Sequence, residues 1–198
     1  KMEKIKDIII GTNNEGKFKE ISELLPKKIN KYSPKGLNIL SPIENGKTFE
    51  ENSKLKASFF SKKTNLICLA DDSGLEIDLL NGMPGVYSSR WGGTKKNFNK
   101  AIEKVFREMR KVKKNWPGIN HARFICCLTI FWPNNTSFSA CGVIEGSISD
   151  KKKGNNGFGY DPIFVPKGYN KTFGQLSAKV KNSIDHRFKA FTKIKKFF

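Results

Sequence analysis

The sequence predicts an α/β fold, and three observations carry that prediction. Apolar runs such as Ile8-Ile9-Ile10 and Ile67-Cys68-Leu69-Ala70 have the length and residue types of buried strands. Between such runs lie segments with apolar residues at helical spacing, the first being Phe18, Ile21, Leu24 and Leu25. A long apolar stretch, 123–132, turns at Pro133-Asn134-Asn135 into a second strand-like stretch, 137–146, which adds an antiparallel hairpin. The 198 residues suffice for one well-buried core, and no repeat or linker divides 1–198 into independent domains.

Each element follows from its residues. The first strand, near 6–10, runs into Gly11-Thr12-Asn13-Asn14-Glu15-Gly16-Lys17, and the helix behind it stops at Pro26. Strand, glycine-containing turn and helix form a phosphate-binding context, because free N–H groups and the helix dipole both favour an anion. The spacing of Gly11, Gly16 and Lys17 completes most of a phosphate-loop motif, but Phe18 stands where that motif needs a hydroxyl for Mg²⁺. Lys17 is therefore read as a point charge on a phosphate-gripping loop, and metal ligands are sought elsewhere. A second strand is expected within 29–43, around 37–40. Thr48 is a good N-cap for a helix ending near Lys62, with Glu50 and Glu51 in its first turn. On that helix Asn52 and Lys56 share a face, and the spacing allows Lys56 to meet either the acids that follow or solvent.

The strand 66–70 delivers Asp71 and Asp72, and Ser73-Gly74 is expected to end it. Adjacent carboxylates repel, so a divalent cation eases their ionisation, and hard Mg²⁺ prefers oxygen ligands. A short strand at 76–80 precedes a turn-rich loop, 83–93, carrying Tyr87, Arg90 and Trp91, which suits a loop lining a site. Phe98, Ile102, Val105 and Met109 predict a core-packing helix with a basic outer face. After the hairpin, Gly157-Phe158-Gly159-Tyr160-Asp161-Pro162 offers glycines for close backbone approach and two rings for stacking on a base, ahead of a short strand at 163–165. One final helix is expected from Ser177, with Val180, Ile184, Phe188 and Phe191 as its core stripe and Lys181, His186 and Arg187 as functional side chains.

Composition narrows the function classes. A net charge of +19 attracts anions, and it fits either a lysine-rich solvated surface or a polyanionic partner. The lysines are scattered, whereas the acids and glycines gather in motifs. No apolar run approaches the roughly 20 residues that cross a bilayer, and Ile8-Ile9-Ile10 is too short for a signal-peptide core behind the basic first residues. Cys68, Cys126, Cys127 and Cys141 show no Cys-x-x-Cys spacing, which argues against zinc and a disulfide scaffold and for a reducing cytosol.

Six blocks recur in order along the chain: Thr12 to Lys17, Gly46 to Asn52, Ala70 to Leu75, Pro84 to Arg90, Asn156 to Phe164, and Lys181-Asn182 with His186-Arg187. In these blocks the sequence resembles the HAM1/inosine triphosphate pyrophosphatase family, in its bacterial non-canonical purine nucleotide branch. The resemblance implies an elongated two-lobed α/β fold, with a long mixed sheet flanked by helices and a cleft between the lobes, assembled as a homodimer. It implies hydrolysis of ITP, dITP or XTP to the monophosphate and pyrophosphate in the cytoplasm, with Mg²⁺ and without a membrane or a specific nucleic acid. Under it Thr12, Asn13, Asn14, Glu15, Gly16 and Lys17 grip the triphosphate. Asp72 is the catalytic carboxylate and a metal ligand, Asp71 supports it, and Glu44 is the second metal ligand. Ser73, Phe158, Gly159, Tyr160, Asp161, Lys181, His186 and Arg187 hold base and sugar-phosphate, while Lys17, Lys56 and Lys181 offset phosphate charge. Departures are Lys153 for Arg, Gln175 for Glu and Asp185 for Ser. The competing readings are a basic nucleic-acid binder stacking bases on Phe158 and Tyr160, and a P-loop-like NTPase, which Phe18 opposes.

Overall fold

The computed structural model describes residues 5–198, so the basic first residues 1–4 lie outside it. In chain order the regular elements are β1 (Asp7–Ile10), α1 (Glu15–Leu24), β2 (Asn30–Tyr32), α2 (Phe49–Thr64), β3 (Ile67–Ile77), α3 (Phe98–Val112), β4 (His121–Phe131), β5 (Ser137–Ile148), β6 (Phe164–Pro166), α4 (Ala178–Ile184) and α5 (His186–Ile194). The strands form one six-stranded sheet in the order β2-β1-β3-β4-β5-β6. β1 pairs in parallel with β2 and β3, whereas β5 and β6 are antiparallel, so the sheet is mixed and the α/β expectation holds. Two compact units share the chain: residues 1–72, 126–142 and 187–198 in the first, and 73–125 and 143–186 in the second.

In the first unit the two-residue period of the strands sorts side chains into two layers. Ile8, Ile10, Leu69, Leu128 and Ile130 pack in one cluster with Ile21 and Leu25 from the α1 side and Ala190, Phe191 and Ile194 of α5. Ile9, Cys68 and Ala70, the alternate positions, pack with Ala57 and Phe60 of α2. A buried hydroxyl chain also fastens α2: Ser53 Oγ meets Thr129 Oγ1 at 2.7 Å, and Thr129 meets Ser139 Oγ at 2.7 Å. In the second unit the predicted stripe of α3, with Ala101, Ile102, Val105 and Met109 buried, packs with Leu75, Ile77, Phe124, Phe164 and Phe173.

Five expectations need correction. The second strand lies within the expected 29–43 but is β2 at Asn30–Tyr32 and not 37–40; Leu40 and Ile43 are 85% and 86% exposed, so those apolar residues face solvent instead of a sheet. β3 continues through Ser73 and Gly74 to Ile77, because burial of Gly74 and Leu75 overrides the turn tendency of the pair. Residues Asp78–Leu80 form a 3₁₀ turn, closed by Asn81 in the left-handed region, where a strand was expected. The last helix is two helices, broken at Asp185, whose backbone is extended (φ −72°, ψ 174°). Aspartate is a weak helix former whose side chain competes with the backbone ladder. Finally, Cys127 and Cys141 form a disulfide across the hairpin, 14 residues apart. The 133–135 turn, closed by the Trp132 N–H to Thr136 O bond, sets the register, and Cys127 and Cys141 lie at equal distances along the two strands from it.

Candidate active site

The strand period that sorts the core also separates the two acids. Successive β3 residues point to opposite layers, so Asp71 follows Leu69 toward α1 and α5, while Asp72 follows Ala70 toward α2. Asp71, fully buried, has its Oδ2 3.1 Å from Lys17 Nζ of α1 and 3.3 Å from Arg187 Nη2 of α5. Arg187 is itself buried and also donates to Glu20 of α1. Asp72 instead meets the buried Lys56 of α2, whose Nζ lies 3.6 Å from Asp72 Oδ1 and 3.2 Å from Glu44 Oε1. Of the two orientations open to Lys56, the structure adopts the one facing the acids.

The two carboxyls consequently differ in electrostatics. Burial works against the Asp71 carboxylate, but Lys17, Arg187 and Lys56 outweigh it and hold its pKa below the ordinary range. At Asp72 burial dominates and the Glu44 and Asp71 charges add to it, so its pKa is raised despite Lys56 and Lys17. Burial likewise opposes the Lys56 ammonium, yet Asp72, Asp71 and Glu44 together keep its pKa above normal. Asp72 Oδ2 is a buried acceptor with no hydrogen-bond partner among the described residues. Two carboxylates around one buried ammonium, one of them with an unused oxygen and an unfavourable charge, suit a further cation. Mg²⁺ usually takes one or two protein carboxylates and leaves its other positions to water and phosphate, so Asp72 and Glu44 fit it.

The loop before α1 is locally self-organised. Thr12 Oγ1 accepts the Asn14 N–H at 3.1 Å, and Asn14 is the N-cap of α1, its Oδ1 accepting Lys17 N–H at 3.0 Å. Asn13 Nδ2 donates to Ser41 Oγ at 2.8 Å, and Glu15 turns outward to Lys35 at 2.9 Å. Phe18 packs into the α1–α5 core cluster, which explains its presence where a phosphate loop would carry a hydroxyl. Of this segment, Lys17 brings its side chain to the acid pair. Glu20 escaped the sequence reading; its position three residues after Lys17, hence on the same helix face, was the available signal.

In the second unit, the 157–161 loop is organised by Asp161. Its buried carboxylate accepts the Phe158 N–H at 2.9 Å and the Lys181 ammonium at 2.7 Å. Gly157 (φ 72°) is required there, since a Cβ would fall 2.0 Å from Asp161 Oδ2. Lys181 Nζ also lies 4.7 Å from the Phe158 ring centroid, a cation–π contact. The expectation of two stacking rings is corrected: Tyr160 is buried, edge-on to Phe98, with its hydroxyl donating to Ser88 O at 2.6 Å. Only Phe158 of the two keeps a partly exposed ring. Ser88 in turn accepts Leu75 N–H at 2.9 Å, which ties the turn-rich loop to β3. His186 is buried and stacked on Phe124, 4.8 Å between centroids, while Ser73 is half-buried on β3. His186 and Arg187, paired in the sequence reading, therefore belong to different units, Arg187 serving the acid pair.

Fold and clusters together define an α/β protein with two adjacent buried carboxyls in different surroundings, one beside Lys17 and Arg187 and the other beside Lys56. The chain belongs to the Ham1 family, whose model it matches over residues 8–197. It is 44% identical over 200 residues to a dITP/XTP pyrophosphatase of Oceanobacillus iheyensis, covering 98% of each chain. To the enzyme of the same name from Bacillus subtilis it is 41% identical over 194 residues, covering 97% of this chain and 96% of the relative. Among solved structures it resembles a HAM1 protein from Coxiella burnetii, with a TM-score of 0.86, 34% identity and coverage of 97% of this chain and 98% of that one.

Proposed function

We propose that the protein is a Mg²⁺-dependent nucleoside triphosphate pyrophosphatase that hydrolyses dITP, XTP and ITP between the α and β phosphates. The carrying observation is the asymmetric acid pair: Asp71 neutralised by Lys17 and Arg187, Asp72 with a raised pKa and an unused buried oxygen beside Glu44 and Lys56. The names of relatives at about 40% identity over nearly the whole chain support the substrate class.

The reaction asks mainly for positioning and charge stabilisation. Asp72 and Glu44 would hold the metal, which supplies Lewis-acid stabilisation at phosphate oxygens and makes water more acidic. Asp72 would also orient the attacking water. Lys17 and Lys56 offset the charge that builds on the leaving pyrophosphate, and the Thr12–Lys17 loop positions the phosphates. Asp71 acts by fixing Lys17 and Arg187. In the second unit Phe158 offers a face for the base, and Lys181, clamped by Asp161, supplies positive charge near it. Glu15 and Tyr160 contribute through their backbone, because their side chains are engaged elsewhere.

Residues 1–198 act in this reading as one catalytic domain, working as a homodimer on the cytoplasmic nucleotide pool. No helix among the described residues is long and apolar enough to cross a membrane. A panel of dITP, XTP, ITP, GTP and ATP, assayed for pyrophosphate and orthophosphate separately, tests the function. Pyrophosphate from the first three is expected; orthophosphate as the first product would reject the proposal, and sedimentation of the protein checks the dimer.

A further inference from the structure

We propose that Asn52 is a positioning residue for the Glu44 carboxylate: it pins the Gly46 backbone to α2 and so holds Glu44 beside Lys56 and Asp72. The inference rests on the metal reading of Asp72 and Glu44 given above. Asn52 is a polar side chain with no exposed surface. Its Oδ1 accepts the Gly46 N–H at 2.8 Å, which fixes the orientation of the amide. The approach is close enough to require glycine: a Cβ at Gly46 would lie 2.6 Å from Asn52 Oδ1 and 2.8 Å from Glu51 Cβ.

Glu44 lies two residues before this pin, in a stretch without helix or strand whose apolar neighbours Leu40 and Ile43 are exposed. Upstream, Ile39 packs beside α2 and Ser41 Oγ accepts from Asn13 Nδ2 at 2.8 Å, while Glu44 itself sits in neither helix nor strand. Contacts that tie the segment to α2 near Glu44 include the Asn52–Gly46 bond, the Lys47 N–H to Glu51 Oε2 bond at 2.6 Å, and the Glu44–Lys56 pair at 3.2 Å. Asn52 and Lys56 are one helical turn apart, so one face of α2 carries both the pin and the cation that Glu44 meets. Asn52 Nδ2 is moreover buried without a hydrogen-bond partner among the described residues. A buried, unused donor is a poor choice for packing alone, and it offers this amide a contact to an oxygen brought in with the ligand.

The test is Mn²⁺ binding, as a probe for Mg²⁺, measured by calorimetry on the full chain without turnover, with melting temperatures alongside. Asn52→Ala should weaken Mn²⁺ binding about tenfold or more, as outer-shell losses do. Gly46→Ala, whose added Cβ displaces the same contact and also crowds Glu51, should do likewise. The double variant should bind no more weakly than the poorer single one, because both remove one interaction. Wild-type affinity in Asn52→Ala, or losses that multiply in the double variant, would overturn the proposal. Asp72→Asn measured in parallel separates the two levels. If it binds Mn²⁺ as the wild type does, the metal reading fails and this proposal with it. If it loses Mn²⁺ while Asn52→Ala does not, only the positioning role fails.

Discussion

Replacing Asp71 and Asp72 one at a time by Asn should separate stability from activity, although the two residues are adjacent. Asp71 is fully buried against Lys17 at 3.1 Å and the buried Arg187 at 3.3 Å. Asp71→Asn leaves those cations short of a carboxylate, and breaking a buried ion pair costs about 3–5 kcal/mol. Glu20 still pairs with Arg187, which argues for the low end, about 3 kcal/mol. For a chain of this size that is a fall in melting temperature of about 6–12 °C. Asp72→Asn removes a charge that burial, Glu44 and Asp71 all disfavour, while Lys56 keeps Glu44 at 3.2 Å. Its stability should change by no more than about 1 kcal/mol, whereas turnover should fall by about 10² or more.

Urea denaturation at several pH values measures both stabilities, with an unchanged m-value showing that only stability has moved. The pKa of Asp71 is depressed in the fold, so its contribution is complete above the ordinary Asp value of about 4 and disappears as pH falls through the lower folded value. The gap between wild type and Asp71→Asn should therefore hold from neutral pH down to about 4, shrink below that and be gone under the lower folded value. Asp72 has the opposite sign: its folded pKa is raised, so the wild type should gain on Asp72→Asn as pH falls through it. A large stability loss in Asp72→Asn with a small one in Asp71→Asn would refute the reasoning.

Four further substitutions have defined outcomes. Lys56→Met removes the cation that lowers the Asp72 pKa, so the acidic limb of the kcat/KM profile should move to higher pH; an unmoved limb would detach Asp72 from that limb. Cys141→Ser opens a disulfide loop of 14 residues and should cost about 3 kcal/mol without reductant, but nothing once the wild type is also reduced, as paired thermal melts would record. Phe158→Ala should raise KM for dITP with little effect on stability. Tyr160→Phe should leave KM unchanged and cost about 1 kcal/mol for the lost bond to Ser88 O.

Much of this was legible in the sequence because it depends on local periodicity. The β1–loop–α1 unit, the Thr48-capped α2, the α3 stripe and the hairpin are each encoded within a few consecutive residues. The pairing partners were not. Lys56 could have faced solvent, and only the packing of Ala57 and Phe60 against Cys68 and Ala70 turns it toward Asp72. Arg187 reads as a partner of His186 by adjacency, yet the break at Asp185 leaves it on α5 beside Asp71. Tyr160 looks in sequence like Phe158, and burial alone tells them apart. The Cys127–Cys141 bond depends on register, and it removes the cysteine pattern as an argument for a reducing compartment.

The most direct test of the central claim is ³¹P-resolved hydrolysis of dITP with saturating Mg²⁺ by the wild type and by folded Asp72→Asn. The wild type should release dIMP and pyrophosphate together, and the variant should leave dITP intact. Pyrophosphate released by Asp72→Asn at the wild-type rate, or orthophosphate appearing first from the wild type, would contradict the claim.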